Sequence, residues 1–227
     1  FIRLCKGDLV TSLVRELPEL EGVMGGYYAA AHGESQEVSK AISQHYLPRG
    51  TGGSLPDKGA SSIVALADKI DTLSAAFLLG LEVSGSQDPL GLRRAASGAV
   101  GIILSCGYDL NLHSLLTFTV GLCRQAIEQN GLPGKGKAVD EKTAVDKLNR
   151  FLLSRVEAAL LEQGFATEII RGVLSGKENR ISRLPAMVEA LSAISGLSAF
   201  SDIVTGWRRS FVLSKETKDR EVLPELL

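Results

Sequence analysis

Aromatic residues make up only 5% of the 227 positions, and runs that alternate β-branched with polar side chains are scarce. Both absences argue against a sandwich or barrel of strands. No sign of charge dominates: 25 Lys and Arg face 26 Asp and Glu, for a formal net charge of −1. There is no global basic field of the kind that marks a nucleic-acid binder, so any RNA contact must come from local clusters. Cysteine is nearly absent. Cys5, Cys106 and Cys123 lie far apart, are odd in number and form no CxxC. That disfavours a disulfide framework or a zinc site and suits a reducing compartment. No run of about 18 apolar residues is present, so no transmembrane helix is expected, and no signal peptide is recognisable. There is no internal repeat. Phe1 is not a natural start, and the first residues read as the inside of an amphipathic helix, so a fragment of a longer protein is expected.

What is present is apolar periodicity of the helical kind. The apolar fraction is 44% and the charged fraction 22%, ordinary for a globular chain with a real core. Leu4, Leu9, Leu13, Val14 and Leu17 form one stripe over residues 4–17. Ile63, Val64, Leu66, Ala67, Ile70, Leu73 and Phe77 form another over 61–79. Residues 89–105 carry start and stop signals, with Asp88 as N-cap, Pro89 at the first helical position and Gly107 past the end. Further helices are expected at about 35–46, 111–129, 143–163, 165–174 and 182–195. The fold class is all-α. Two segments interrupt it: 48–60, dense in Pro, Gly and Ser, and 130–142, rich in Gly and Lys and read as a linker. The expected units are 1–130 and 143–227. Gly22, Gly25 and Gly26 are expected to serve a tight turn between helices.

Three constellations are candidates for chemistry. The first is His32, Glu34, His45, Asp68 and Asp71. Asp68 and Asp71, three apart on one helix, share a face, and histidines with carboxylates can hold a metal. The same residue types are abundant on solvated helix surfaces, so spacing alone does not make a metal site. The second runs from Ser84 to Arg94. There a helix N-terminus and the guanidinium groups of Arg93 and Arg94 suit a phosphate. The bland reading is a capped helix with two solvated arginines. The third is basic material near the end, closing on Trp207, Arg208 and Arg209. Trp207 could stack on a base; acidic residues are interleaved through this stretch, so a solvated helical face with Trp207 as a core residue is the competing reading.

Three longer strings carry a resemblance. They are Lys6-Gly-Asp-Leu-Val-Thr11 followed by Glu16-Leu-Pro-Glu-Leu-Glu-Gly22, then Ile63-Val-Ala-Leu-Ala-Asp-Lys-Ile-Asp-Thr-Leu73, then Gly85-Ser-Gln-Asp-Pro-Leu-Gly-Leu-Arg-Arg94. Between the first two lie Tyr28, Ala31-His-Gly-Glu34 and His45-Tyr-Leu-Pro48. In this order they resemble the β chain of bacterial-type glycyl-tRNA synthetases over most of residues 1–110. Residues 143–213 more loosely resemble the start of that subunit's helical anticodon-binding domain, with Arg208 and Arg209 as its basic pair.

The resemblance implies an HD-domain-like helical bundle followed by part of a second helical domain. Lys6-Gly-Asp8 falls where that superfamily has a His-Asp pair. Gly7 replaces the histidine, while Asp8, His32, Glu34 and Asp68 mark the remaining positions of a vestigial site without metal. The implied role is the tRNA-binding part of glycine–tRNA ligase, with no catalytic residue in this chain. The complete enzyme uses ATP with Mg, and the α subunit, separate in an α₂β₂-type assembly or fused, supplies the active site. Arg93 and Arg94 are the first candidates for tRNA contact, followed by Lys69 and Lys6, with Arg208 and Arg209 on the anticodon side. Lys6 and Lys69 are also expected to pair with Asp8, Asp68 or Asp71 in place of the lost metal. The implied location is a bacterial cytoplasm, or an organelle, without membrane. The alternatives are a surviving HD-type metal-dependent phosphohydrolase, which needs Asp8, His32, Glu34, His45 and Asp68 on one ion, and a purely structural assembly scaffold.

Overall fold

A computed structural model of the chain describes residues 4–50, 52–81, 88, 90–131 and 138–216. Among these residues there are ten α-helices, three short 3-10 turns and no strand. The helices are α1 (Ser12–Glu16), α2 (Val23–Ala31), α3 (Gln36–Gln44), α4 (Ala60–Leu78), α5 (Leu92–Cys106), α6 (Leu112–Asn130), α7 (Glu141–Glu162), α8 (Thr167–Leu174), α9 (Leu184–Ser195) and α10 (Ser198–Glu216). The all-α expectation holds. Pro89, Ser84–Gln87 and residues 132–137 of the linker lie outside the described residues, as do residues 1–3.

Side-chain caps set several of the starts. Thr11 Oγ1, Ser35 Oγ, Asn111 Oδ1 and Asp140 Oδ1 accept from the backbone N–H three residues on, at 3.4, 3.3, 3.0 and 2.9 Å. Each satisfies a donor that the helix itself leaves free. α5 ends as expected at Gly107, whose φ of +65° lets the Tyr108 N–H return to the Ile103 carbonyl at 3.1 Å.

Two segments depart from the sequence reading. Residues 4–17 are not one helix: a 3-10 turn, Gly7–Val10, precedes α1, and a second, Pro18–Leu20, follows it. The Thr11 hydroxyl donates to the Asp8 carbonyl and accepts from Val14, so it caps a new helix rather than continuing the old one. Of the expected stripe only Val14 is buried, while Leu4, Leu9, Leu13 and Leu17 stay partly exposed. α5 begins three residues later than expected, with Gly91 at its N-cap.

α4 is the central helix. It packs against α3, α5, α6 and α7, and α7 in turn packs on α5, α6 and α8. The apolar core runs from Ala65 on α4 through Val100 on α5, Leu116 on α6 and Leu152 on α7 to Val188 on α9. It takes residues from both sides of the 130–142 segment. Backbone bonds tie the ends of this body: Val139 N–H to Leu78 at 2.9 Å and Leu112 N–H to Asn179 at 2.8 Å. α3 packs on α4 and α2 on α3, forming a small N-terminal layer. α10 leans on α9 and shows Ile203, Trp207 and Phe211 to solvent. No single helix among the described residues is long and apolar enough to cross a membrane. The α9 and α10 stretches pass such a test only as a pair bent by 100°, and α9 buries Leu184 and Val188 against the core.

Candidate functional site

Asp8 organises the N-terminal layer. Its side chain is only 2% exposed. One oxygen, Oδ2, accepts from the Gly22 N–H at 2.7 Å and the Gly25 N–H at 3.1 Å. These are the N-cap and third positions of α2, whose own N-cap, being glycine, has no side chain to offer. The carboxylate thus caps a helix 14 residues away in sequence, and its charge meets the positive end of the helix dipole.

Glycine is required for this approach. A Cβ on Gly25 would lie 2.9 Å from Ile42 Cγ2 and 3.2 Å from Asp8 Cγ, and one on Gly22, whose φ is +75°, would lie 2.9 Å from the Tyr46 ring. The expectation that all three glycines serve a turn is corrected: only Gly22 does. Gly25 and Gly26 lie inside α2, where Gly26 lets α3 close to within 2.8 Å of the place its Cβ would occupy. Sequence periodicity missed α2 because its buried face is glycine and alanine.

The other positions that the resemblance marks divide between two places. His32 and Glu34 line a cavity of about 420 Å³ together with Asp8, Thr11, Tyr28 and Ile42. Asp68 is not on that wall; it pairs with Lys6 at 2.6 Å. His45 is fully buried, its Nδ1 held to the Ile42 carbonyl at 2.6 Å. Burial pushes its pKa down, so the ring sits neutral in the core. Asp71 points elsewhere, its carboxylate 3.8 Å from the Cys123 thiol on α6, and burial followed by that carboxylate raises Cys123 to about 11. Among the described residues no group of three or more His, Cys, Asp and Glu is placed to hold a metal ion. The five-residue convergence that a phosphohydrolase needs is therefore not formed.

The expected lysine pairings resolve differently from each other. Lys6 meets Asp68. Lys69 is buried and donates to the Tyr46 carbonyl at 3.1 Å. Burial lowers its pKa to about 8, so its charge is turned inward and does not face an outside phosphate.

At the start of α5, Asp88 acts from outside the helix. Its two oxygens accept from the Arg93 and Arg94 N–H groups at 3.2 and 3.3 Å, and the Arg94 side chain returns to it at 3.7 Å. The expectation that this N-terminus offers its amides to a phosphate is corrected: a carboxylate of the chain already holds them. The side chain left accessible here is that of Arg94, exposed while paired with Asp88, and Arg93 beside it is half-buried. Arg208 and Arg209 are exposed on α10. Beside them Trp207 is 64% exposed and stacks on Phe211 at 5.1 Å, not in the core as the competing reading had it.

Similarity to known proteins agrees with the strings. The family described as glycyl-tRNA synthetase beta subunit matches residues 1–175. The glycine–tRNA ligase beta subunit of Geotalea daltonii is 36% identical over 213 residues, covering 94% of this chain and 29% of the relative. That of Moorella thermoacetica is 36% identical over 225 residues, covering 99% and 31%. That of Trichodesmium erythraeum is 45% identical over 160 residues, covering 70% and 21%. The chain thus spans less than a third of the length of these relatives. With the motif order kept and the match running from the Asp8 layer through α8, the chain belongs to the glycyl-tRNA synthetase beta subunit family.

Proposed function

We propose that this chain is a non-catalytic, tRNA-positioning part of glycine–tRNA ligase. The observation that carries the reading is the family match over residues 1–175 on a bundle whose degenerate centre has become structural. Asp8 caps α2, Asp68 pairs with Lys6, and Lys69 and His45 are closed into the packing. The partners are tRNA-Gly and the α subunit, in an α₂β₂-type or fused assembly in the bacterial cytoplasm. ATP with Mg belongs to the rest of the enzyme. The cavity beside Asp8 is lined by oxygen acceptors and His32, with no Lys or Arg, a poor match for a triphosphate.

Positioning works through phosphate contacts that fix the orientation of the RNA without reading its sequence. The exposed guanidinium of Arg94, with Arg93 beside it, is the first contact, and Arg208 and Arg209 are a second, on α10. Lys6 ranks below them because its ion pair with Asp68 is close, 2.6 Å against 3.7 Å between Arg94 and Asp88, while Lys69 leaves the contact set because it is buried. The test is binding of tRNA-Gly transcript and an unrelated tRNA at two salt concentrations, with an Arg93→Ala/Arg94→Ala variant alongside. Preferential, salt-sensitive binding that weakens by about 1 kcal/mol or more in the variant supports phosphate contact. Unchanged affinity would instead favour the scaffold reading.

A further inference from the structure

We infer that the N-terminus of α4 is a binding site for a phosphate group, separate from the cavity beside Asp8. α4 runs for 19 residues from Ala60, and its first turn is only partly closed from within. The Ser62 hydroxyl accepts from the Gly59 N–H at 3.0 Å and lies 2.7 Å from the Tyr108 hydroxyl, which fixes this helix end. The Ser62 N–H goes to the Asp57 carbonyl and the Ile63 N–H to that of Gly59. The Ala60 and Ser61 N–H groups make no bond to any described residue. A Cβ on Gly59 would meet nothing within 4 Å, so the space beside the turn is open. Two free amides at the positive end of a long helix attract an anion.

The second observation is Ser61. The residue is only 5% exposed, yet its hydroxyl makes no hydrogen bond among the described residues and is not sealed into the packing. It lines an open cavity of about 350 Å³ at this helix end. A polar atom on so buried a residue normally has a partner, and the cavity is the side from which one can come. The hydroxyl adds a third donor to the two amides, all on consecutive residues, and several adjacent donors suit an anion with several oxygens. On the same wall Lys40 is paired with Asp57. Lys58 has no partner among the described residues and faces one opposing charge, Glu37. Charge on the wall thus balances, and the donors decide what binds.

Sodium phosphate, titrated into the 227-residue chain at constant ionic strength against sodium chloride, tests this through the Ala60 and Ser61 amide resonances. Phosphate should move both in a one-site curve, while the Glu141 and Lys142 amides at the start of α7 stay still. Ser61→Ala should weaken phosphate about tenfold, the worth of one hydrogen bond to a charged group. Ala60→Pro suits the first position of a helix and removes one N–H; it should weaken phosphate as much, read on the Ser61 amide. Glu37→Gln should tighten it. Should one of the first two variants fail to fold, the other decides. Amides that stay still, equal shifts with chloride or at α7, phosphate affinity unchanged in the Ser61 and Ala60 variants, or weaker binding by Glu37→Gln would each overturn the proposal. Because phosphate is titrated alone, the result is separate from the tRNA reading. tRNA-Gly then distinguishes the source. If it moves the same two amides and binds more weakly to Ala60→Pro, the group is a backbone phosphate of RNA. If it leaves them in place while phosphate moves them, the group belongs to a small phosphorylated molecule.

Discussion

Two halves of the molecule meet on α4 and are packed in different ways. Apolar residues from Ala65 to Leu78 of α4 join α5 to α9 in one body, with Leu73, Ile103, Leu116, Leu148, Leu152 and Leu160 all essentially inaccessible. α4 also carries, through α3, the layer of α1 to α3, whose buried apolar residues are Val14, Ala29, Ala41 and Ile42 and lie outside that body. So small an apolar set cannot hold the layer by area alone. It is held by directed contacts: the Asp8 carboxylate on two amides, Lys69 on a carbonyl, Lys6 on Asp68, and glycines that bring α2 against α3. Burial tolerates shifts in detail, whereas directed contacts do not. The layer around Asp8 is thus specified atom by atom, and the body beneath it by volume.

The difference predicts where truncation hurts most. Leu152 sits in the middle of α7 with no exposed surface, surrounded by helices that cannot all collapse inward. Leu152→Ala should cost about 3–5 kcal/mol, the upper range for a large-to-small change in a rigid core, read as a drop in the urea midpoint at constant slope. A loss near 1 kcal/mol would mean that the body repacks readily and that the contrast between the halves is weaker than drawn.

In the layer, the sharpest handle is electrostatic. Lys69 titrates at about 8 in the folded protein against 10.5 ordinarily, because burial disfavours the ammonium. Between those values the unfolded chain holds more protons than the folded one, so this residue's contribution to stability rises with pH across the window. Below about pH 8 the ammonium is present in both states and its full burial penalty remains. Lys69→Met keeps the stem, removes the charge and gives up the bond to Tyr46, so relative to wild type it should compare best at neutral pH, where the burial penalty is full. The difference should then shift in favour of wild type by roughly 2–3 kcal/mol as pH rises through the window. Parallel pH profiles for the two proteins, compared by urea unfolding, would show that Lys69 is solvated and the layer looser than its contacts suggest. Taking the difference between variant and wild type also removes the opposing contribution of Cys123, which titrates at about 11.

The same division governs what could be read from the sequence. The body was legible because Leu, Ile and Val at helical spacing report burial directly; α4 and α6 to α9 fall within about two residues of expectation at each end. In the layer, α2 buries glycine and alanine, which carry little hydrophobic signal, and Thr11 breaks a periodic stripe through one hydroxyl. Of the candidate site, the motif positions Asp8, His32 and Glu34 did gather on one cavity, because the strings carried them. The roles were not legible. That Asp8 caps α2, that Lys69 turns inward and that Asp88 occupies the amides of α5 all depend on distances between residues up to 23 apart in sequence. Spacing along one helix says nothing about such distances.

One substitution made in both halves puts the division to its finest test. Gly25 and Gly172 are both interior to helices, α2 and α8, and neither has a positive φ. Alanine gains about 0.5–1 kcal/mol over glycine at such a position from its smaller backbone entropy loss. At Gly172 the new Cβ meets nothing nearer than Leu191 Cδ2 at 3.8 Å, so Gly172→Ala should keep that gain and raise the melting temperature. At Gly25 the Cβ enters within 2.9 Å of Ile42 and 3.2 Å of Asp8. It pushes on the carboxylate whose geometry holds the layer, so Gly25→Ala should lose about 1–2 kcal/mol net, the overpacking cost exceeding the helix gain. Opposite signs would show that the layer is fixed by close approach and the periphery of the body by propensity. If Gly25→Ala were stabilising too, Ile42 and Asp8 would have to give way freely, and the directed contacts would not be what holds α2 in place.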